Sequence, residues 1–421
     1  MKKLSLFMFI IAFALFSCNK DNVNPDGGDD GGNGDDGNGN DEVPGFLWQY
    51  GSGIYPYSDM VLDESDNIYF VAETYLYSID KDGKERWKYE LSGMSNWEIL
   101  YVDGNVIIGK NSVMCFDAGG NVKWELPLYT TSLAFSGNVL YVAGTDFYQG
   151  AIVTALDLAG NTLWSEVFAN HSDVNISAKG DKVCLTTRDK TANEYKIGLK
   201  MLKNTGSTAE ILWEEYFTET GDFAEPFRAS FDMDGNVFFE EASNDVAYLH
   251  SFDAETGTEH WSTKLSDYQV GNPIILTADD FVVASYLDNP DDGDFNSIAF
   301  IEKSSGNIIA SKDDVVSESR QVFLTADNSV LTFDFVDSKS VQSGPVVHVF
   351  SSTGEETKTL DGSIFGSLMG FATCKINSTH SFVFIDDHKL NCSTAEPVLT
   401  LSAASNWSSR NGNRFNTNSV Q

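Results

Sequence analysis

The residues best suited to metal binding or acid–base chemistry are six histidines: His171, His250, His260, His348, His380 and His388. None of their spacings matches a metal-ligand pattern such as HExxH. The chain also contains no GxSxG nucleophile motif, no Gly-rich phosphate loop and no CxxC pair. The sequence therefore predicts no catalytic residue, no metal site and no cofactor.

The densest group of carboxylates is Asp288–Asp294 (DNPDDGD). Calcium-binding loops are similarly acidic. Here, however, Pro290 takes a ligand position, and Ala299 stands where the closing Glu of an EF-hand belongs. We therefore interpret the segment as the solvated tip of a hairpin.

Aromatic and cationic side chains between the strand-like runs are the candidates for contact with a ligand or a partner. They are Trp97, Tyr129, His171, Phe223, Arg228, Tyr268 and Arg320. Aromatic residues and Arg are enriched at interfaces, and they also occur in cores.

A repeated unit positions these candidates, and its clearest copy is Ser251–Leu265 (SFDAETGTEHWSTKL). Apolar and polar residues alternate before its turn, as in a strand with two unlike faces. In the turn, Asp253 can bond back to the backbone and Gly257 accepts a positive φ. Three related copies keep the Asp, the Gly and the Trp: Ser78–Trp87, Cys115–Trp124 and Ala155–Trp164.

A tryptophan recurs at one place per unit. Six such residues are expected to be structural anchors of the blades: Trp48, Trp87, Trp124, Trp164, Trp213 and Trp261. A large apolar ring with one N–H group suits a plug between neighbouring units. From Trp87 onward these residues are 37 to 49 positions apart, a period typical of β-propeller blades.

Eight pairs of turn-forming residues each precede a β-rich run, and nothing between them has the pattern of a long amphipathic helix. The pairs are Asp66-Asn67, Gly104-Asn105, Gly137-Asn138, Gly180-Asp181, Gly235-Asn236, Asp279-Asp280, Asp327-Asn328 and Thr379-His380. We predict an all-β, eight-bladed β-propeller of four-stranded antiparallel blades, with seven blades as the alternative. Phe46–Tyr50 is expected to close the ring as the outer strand of the last blade. The competing segment is Glu396–Leu401.

The unit SFDAETGTEHW resembles the tryptophan-docking repeat of quinoprotein-type propellers, A-x-D-x-x-T-G-x-x-x-W. One branch of that family consists of dehydrogenases that use pyrroloquinoline quinone with calcium, an Asp base and often an adjacent Cys pair. The other branch is non-enzymatic and includes the propeller lipoprotein of the outer-membrane β-barrel assembly machine, a protein-binding scaffold. The scarcity of cations for a tricarboxylate quinone and the lack of an adjacent Cys pair favour the second branch.

Residues 1–17 are expected to be a lipoprotein signal peptide. Two lysines precede the apolar run Leu4–Phe16, which is too short to span a bilayer comfortably. The segment LFSC resembles the bacterial lipobox, which implies a lipid on Cys18. Asn19, in place of Asp, implies the outer membrane, with the periplasmic or surface face left open.

Residues 18–45 are expected to be a disordered acidic Gly/Asp/Asn tether, because they hold too few apolar side chains to order themselves. The propeller is placed at residues 46–401 and a polar tail at residues 402–421. The net charge of −35 opposes binding to nucleic acid or to an anionic membrane surface. Cys115 and Cys184 fall in strand-like runs and are expected to be buried. Whether Cys374 and Cys392 pair is left open.

Three functions are compatible with these features. The preferred one is a lipid-anchored, non-catalytic, monomeric propeller scaffold that binds a protein partner or an envelope complex and touches the membrane only through its lipid. The alternative is a surface glycan-binding lipoprotein, and the negative charge then favours a neutral glycan. An enzyme, either a quinoprotein or a polysaccharide lyase, ranks third.

Overall fold

The computed structural model describes residues 46–393 apart from residues 52, 94–96, 147–148, 170, 191–194, 220–226, 244–245, 268–274, 287–295, 317–321, 326, 335–345, 361–372, 379–380 and 387–388. The chain divides into two units, Met1–Asp41 and Glu42–Gln421, and all described residues belong to the second. Every regular element in these ranges is a β-strand. Within these ranges, no helix has the length and hydropathy needed to cross a membrane.

In the described part of the chain, thirty-two strands form eight antiparallel sheets of four strands, here called blades I to VIII. Blades I and II comprise β2 (Pro56–Leu62), β3 (Ile68–Ala72), β4 (Tyr75–Ile79), β5 (Glu85–Glu90), β6 (Glu98–Val102), β7 (Asn105–Gly109), β8 (Val113–Phe116) and β9 (Val122–Leu126). Blades III and IV comprise β10 (Ser132–Ser136), β11 (Val139–Asp146), β12 (Gly150–Leu156), β13 (Thr162–Phe168), β14 (His171–Lys179), β15 (Lys182–Lys190), β16 (Tyr195–Asn204) and β17 (Ala209–Glu219).

The second half of the ring repeats this order. Blades V and VI comprise β18 (Ser230–Phe231), β19 (Asn236–Ser243), β20 (Val246–Asp253), β21 (Glu259–Ser266), β22 (Ile275–Thr277), β23 (Phe281–Tyr286), β24 (Asn296–Glu302) and β25 (Ile308–Val316). Blades VII and VIII comprise β26 (Val322–Leu324), β27 (Val330–Asp334), β28 (Val346–Phe350), β29 (Glu356–Leu360), β30 (Thr373–Ile376), β31 (Phe382–Asp386), β32 (Lys389–Ser393) and β1 (Phe46–Tyr50). The prediction of eight blades is confirmed.

The first strands of neighbouring blades contact one another, as β2 does with β6 and β6 with β10, so they surround the central channel. Because each blade is a simple antiparallel meander, its connections fall at two ends. One end, the turn face, carries the first-to-second and third-to-fourth turns, such as Asp63–Asn67 and Asp80–Lys84. The other end, the loop face, carries the second-to-third connections and the segments between blades.

The first strand of the chain closes the ring by pairing with the last. Phe46 lies opposite Ser393 and Tyr50 opposite Leu390 in the ladder between β1 and β32. This confirms the role expected for Phe46–Tyr50, and the competing segment lies outside the described residues. The joint is strengthened where Lys375 of blade VIII reaches Asp59 of blade I at 3.2 Å.

The six anchor tryptophans lie on outer strands, and each indole N–H donates to the turn face of the next blade. Five of them donate to backbone carbonyls, at 2.8–3.1 Å: Trp48 to Lys81, Trp87 to Ala118, Trp124 to Leu158, Trp213 to Ala254 and Trp261 to Lys303. Trp164 donates to the side chain of Asn204 at 2.9 Å. Each N–H is therefore satisfied while the ring packs between two sheets.

Three cysteines of the described part are free and buried: Cys115, Cys184 and Cys392. Cys374 lies on β30 and Cys392 on β32, with β31 between them. Two strand spacings amount to about 10 Å, which exceeds the reach of a disulfide. The arrangement of strands therefore excludes the pairing that the sequence left open.

Candidate functional site at the loop face

Four of the seven candidate contact residues lie in the described part of the chain: Trp97, Tyr129, His171 and Arg228. All four precede or begin the first strand of a blade, so they belong to the loop face. The other three, Phe223, Tyr268 and Arg320, lie outside the described residues.

Arg228 crosses the channel from blade V to blades II and III. Its Nη2 lies 3.1 Å from Glu98 Oε2 on β6 and donates to Ser132 Oγ on β10 at 2.7 Å. The Arg228 side chain is 16% exposed, so this is a charge-assisted contact largely shielded from water. Arg228 thus joins Glu98, which follows Trp97, to Ser132, which lies three positions after Tyr129.

Trp97 is a packing residue in this structure. Its side chain is buried among apolar residues of blades I and II, including Val71 and Met114. Its backbone N–H donates to the Tyr57 carbonyl at 2.6 Å, next to a bridge with Ser58. The indole Nε1 is buried and has no hydrogen-bond partner in the structure. The ring offers no exposed platform for a ligand.

His171 lies buried at the start of β14, where its Nδ1 contacts the Asp189 carboxylate. Thr187 donates its hydroxyl to the same carboxylate at 3.0 Å. An Asp–His pair is the orienting half of a general base. Within the described part of the chain, no nucleophilic hydroxyl or thiol contacts the other ring nitrogen.

A second polar group lies on the same sheet of blade IV. Lys200 is buried and contacts the Tyr216 hydroxyl and, at 2.9 Å, Glu214. Burial acts to lower the pKa of Lys200, but the hydrogen bonds to Tyr216 and Glu214 outweigh it and raise that pKa. The same contact with Lys200 lowers the pKa of Glu214. Both groups therefore stay charged, and the arrangement is a structural ion pair.

Tyr129 is the candidate that reaches solvent, with 48% of the residue exposed. The Lys110 ammonium lies 5.8 Å from its ring centre. Tyr129 lines a cleft of about 210 Å³ between blades II and III. Its walls are residues of the blade-to-blade segment and of β11 and β12: Pro127, Leu128, Tyr129, Val142, Gly144, Thr145, Asp146, Ile152 and Thr154.

Sequence reasoning found Tyr129 but missed the residues around it. Asp146 and Ile152 lie on a hairpin whose loop carries no Trp or Asp-Gly signature, and only the register of β11 and β12 places them beside Tyr129. The partners of Arg228 were missed for the same reason, because Glu98 is 130 positions away in the chain. Within the described residues, no group of three His, Cys, Asp or Glu is arranged to hold a metal ion.

Eight four-stranded sheets, with docked tryptophans at six of the junctions between them, define a β-propeller built from PQQ-like repeats. A family model described as outer membrane protein assembly factor BamB matches residues 47–193, which span most of β1, blades I to III and the first two strands of blade IV. The chain is therefore a PQQ-like propeller similar to BamB over that region. No curated protein matches the chain in sequence.

Solved structures share the fold at low sequence identity. BamB from Moraxella catarrhalis is 14% identical, with a TM-score of 0.55 over 83% of this chain and 99% of that one. The computationally designed Ika8 protein is 15% identical, with a TM-score of 0.57 over the same shares. Quinohemoprotein alcohol dehydrogenase from Comamonas testosteroni is 11% identical, with a TM-score of 0.53 over 83% of this chain and 76% of that one. At these identities the likeness is one of fold.

Proposed function

We propose that this chain is a non-catalytic scaffold, anchored to the outer membrane by a lipid on Cys18, that binds a protein partner in the cell envelope. The observation that carries the proposal is the match of residues 47–193 to an outer membrane protein assembly factor. The lipobox-like LFSC segment supports the anchor. The loop-face contacts described above also support a scaffold, since Arg228, Trp97 and His171 are engaged in packing the blades.

The outer edge of blade IV is the surface that suits a protein partner best. Its outer strand β17 has 11 residues and is the longest of the eight outer strands as described; β25 follows with nine. A long outer strand presents a row of backbone groups to which another chain can add a strand. Ile211 is 51% exposed on this strand and Tyr216 38%.

Charge defines the kind of partner that fits β17. Glu210, Glu214 and Glu215 are all exposed on it. The neighbouring strand β16 carries three lysines, Lys196, Lys200 and Lys203, and Lys200 is buried. An added strand would therefore meet three carboxylates between positions 210 and 215. The occupant that we propose is an extended, Lys- or Arg-rich segment of a partner protein, which adds to blade IV as a fifth strand.

Site-specific photo-crosslinking in cells that make the full-length chain tests this docking edge. A photoreactive residue at position 211 should give a discrete crosslinked species, and the Glu210→Lys, Glu215→Lys double variant should lose it. Val122, exposed on the outer strand β9 of blade II, is the matched control position. Equal crosslinking at 122 and 211, or a species that the charge reversal leaves unchanged, would exclude this edge.

The lipid anchor is tested separately from the partner. Cys18→Ala should move the protein from the outer-membrane fraction to the soluble fraction and abolish labelling by a radioactive fatty acid, because one acylated residue is the only membrane contact proposed. Propeller unfolding should be unchanged in this variant. Retention of Cys18→Ala in the membrane fraction after a carbonate wash would contradict the anchor.

A further inference from the structure

The geometry points to a saccharide-binding subsite in the cleft between blades II and III, sized for one uncharged hexose unit and built on Tyr129. This inference is independent of the proposed protein partner, since the cleft opens on the loop face and the docking edge is the outer strand of another blade. It rests on the rigid presentation of an exposed ring, on the polar groups beside that ring and on the size of the cleft.

Tyr129 is held on a rigid segment although its ring faces water. The backbone N–H of Thr130 donates to Lys110 O at 2.6 Å, and that of Thr131 donates to Ala143 O at 2.8 Å. The Thr131 hydroxyl also donates to Val174 O of blade IV at 3.0 Å. A Cβ added to Gly144 would overlap the Tyr129 carbonyl oxygen, so the segment lies directly on β11. Because the backbone that carries the ring is already fixed, ligand binding does not have to order this segment.

The side of the cleft formed by β11 and β12 combines apolar and polar groups. Gly144 lies opposite Ile152 in the ladder, and Ile152 lies opposite Val167, which is 50% exposed on β13. Asp146 is positioned by accepting a hydrogen bond from the Gln149 N–H at 2.9 Å. Four of the nine lining residues carry a hydroxyl or a carboxylate: Tyr129, Thr145, Asp146 and Thr154.

This mixture favours a hydroxylated ring over an apolar side chain. The C–H face of a sugar can lie on the Tyr129 ring and the Ile152 wall, while its hydroxyls donate to the Asp146 carboxylate. An apolar anchor would remove water from that carboxylate and donate nothing in return. The volume of about 210 Å³ is below the roughly 300–1,000 Å³ of sites for drug-sized ligands, which limits the occupant to about one ring.

Charge selects among sugars. The chain carries a net charge of −35, and the Asp146 carboxylate lines the cleft itself, whereas the Lys110 ammonium lies 5.8 Å from the Tyr129 ring centre and is not a lining group. A uronic acid or a sialylated unit beside Asp146 would therefore be repelled. The subsite should therefore accept neutral hexoses and reject acidic ones.

Calorimetric titration of the full-length chain with cellotetraose, maltotetraose, laminaritetraose and mannotetraose tests the proposal, with trigalacturonate as the acidic comparison. At least one neutral tetraose should bind saturably, and trigalacturonate should not. Tyr129→Ala should weaken that binding by about tenfold or more, the loss expected for one stacked ring, whereas Tyr129→Phe should stay within about threefold. Tyr55→Ala is the matched control, because Tyr55 is exposed to a similar degree, 51%, at another site; it should bind like the parent. Thermal unfolding of each variant verifies that the propeller is intact.

The absence of saturable heat with all four neutral saccharides would overturn the inference. Binding that Tyr129→Ala leaves unchanged, or tighter binding of trigalacturonate, would do the same. If the parent protein binds no saccharide and Tyr129→Ala loses the crosslink to a protein partner, the cleft is a protein-docking site, and the saccharide inference is overturned. Because the crosslink at position 211 is read out separately, failure of the saccharide site and failure of the protein-binding proposal are distinguishable.

Discussion

Five of the six docked tryptophans meet a glycine of the next blade, and Trp164 is the exception. Gly83, Gly257 and Gly306 have φ between +72° and +81°, and a Cβ on any of them would lie 2.6 Å from the indole it faces. The glycine therefore serves two needs, a left-handed turn and room for the ring. Gly354 of blade VII keeps φ +74° although its neighbours are Ala310 and Phe300. The backbone of the turn thus explains why the late units retain Gly after losing Trp.

A pair of glycine substitutions separates the contribution of the docked ring from that of the backbone. Gly257→Ala should destabilise the propeller by about 1–3 kcal/mol more than Gly206→Ala. Gly206 also has a left-handed φ, +93°, but an added Cβ meets nothing within 4 Å, so its substitution carries only the backbone cost of about 1–2 kcal/mol. Urea denaturation of both variants and the parent measures the difference. Equal losses would mean that the indole does not pack on the turn.

The buried thiols should be unreactive in the native state. Burial raises the pKa of Cys115 to about 11 and that of Cys392 to about 12, and it also raises the pKa of Cys184. In a Cys18→Ser, Cys374→Ser variant, iodoacetamide at pH 8 should label none of the three until urea unfolds the chain. Because folding raises these pKa values, the neutral buried thiols make their full contribution to the free energy of unfolding below about pH 9. That contribution is lost as the pH rises toward 12. Rapid labelling of the folded chain would contradict their burial.

The third-to-fourth turns act as repeated small elements organised by one carboxylate. In blade III, Asp157 accepts hydrogen bonds from the backbone N–H groups of Ala159 and Asn161, at 2.9 and 2.8 Å, and from the Asn161 side chain at 2.8 Å. These bonds, with the Asn161 side chain foremost, lower the pKa of Asp157. Asp117 and Asn121 repeat the arrangement in blade II.

Acid should remove the contribution of such a turn. Because the pKa of Asp157 is lowered from 3.8 in the fold, the stability it provides is complete above about pH 4 and is lost as the pH falls below its folded pKa. Asp157→Ala should therefore have a lower free energy of unfolding than the parent at pH 6, and this difference between the two proteins should be smaller at pH 3. Asp157→Asn keeps an acceptor without a charge. At pH 6 its loss of unfolding free energy should therefore be smaller than that of Asp157→Ala. A gap for Asp157→Ala that is the same at both pH values would refute this role.

The elements were predictable from sequence because their signals are local. Alternation, turn pairs and the recurring Trp lie within a few positions of one another, and they predicted one hairpin in every blade and the number of blades. The site was less predictable. Arg228 reaches Glu98 across the channel, and Asp146 joins Tyr129 through strand register; no local pattern encodes either contact. Trp97 matched the composition of an exposed loop and is instead buried, since aromatic residues suit both environments.

At the scale of the whole molecule, the first and last described strands lie together. Trp48 on β1 packs against Gly83 of blade I, while β1 itself pairs with β32 of blade VIII. One five-residue strand thus completes a sheet and docks the next blade. By pairing with β32, β1 covers a strand edge that another chain could otherwise occupy.

A cross-strand disulfide tests this closure most directly. Gln49 and Asn391 lie opposite each other on β1 and β32, and their side chains are joined by a hydrogen bond of 2.7 Å. Facing residues in an antiparallel pair have Cα atoms about 4.5–5.5 Å apart, within disulfide reach. On mild oxidation, Gln49→Cys, Asn391→Cys should form the 49–391 link within one chain, detected by mass spectrometry. Gln49→Cys, Glu125→Cys should form none. Absence of the 49–391 link, or its formation only between chains, would contradict the closed ring.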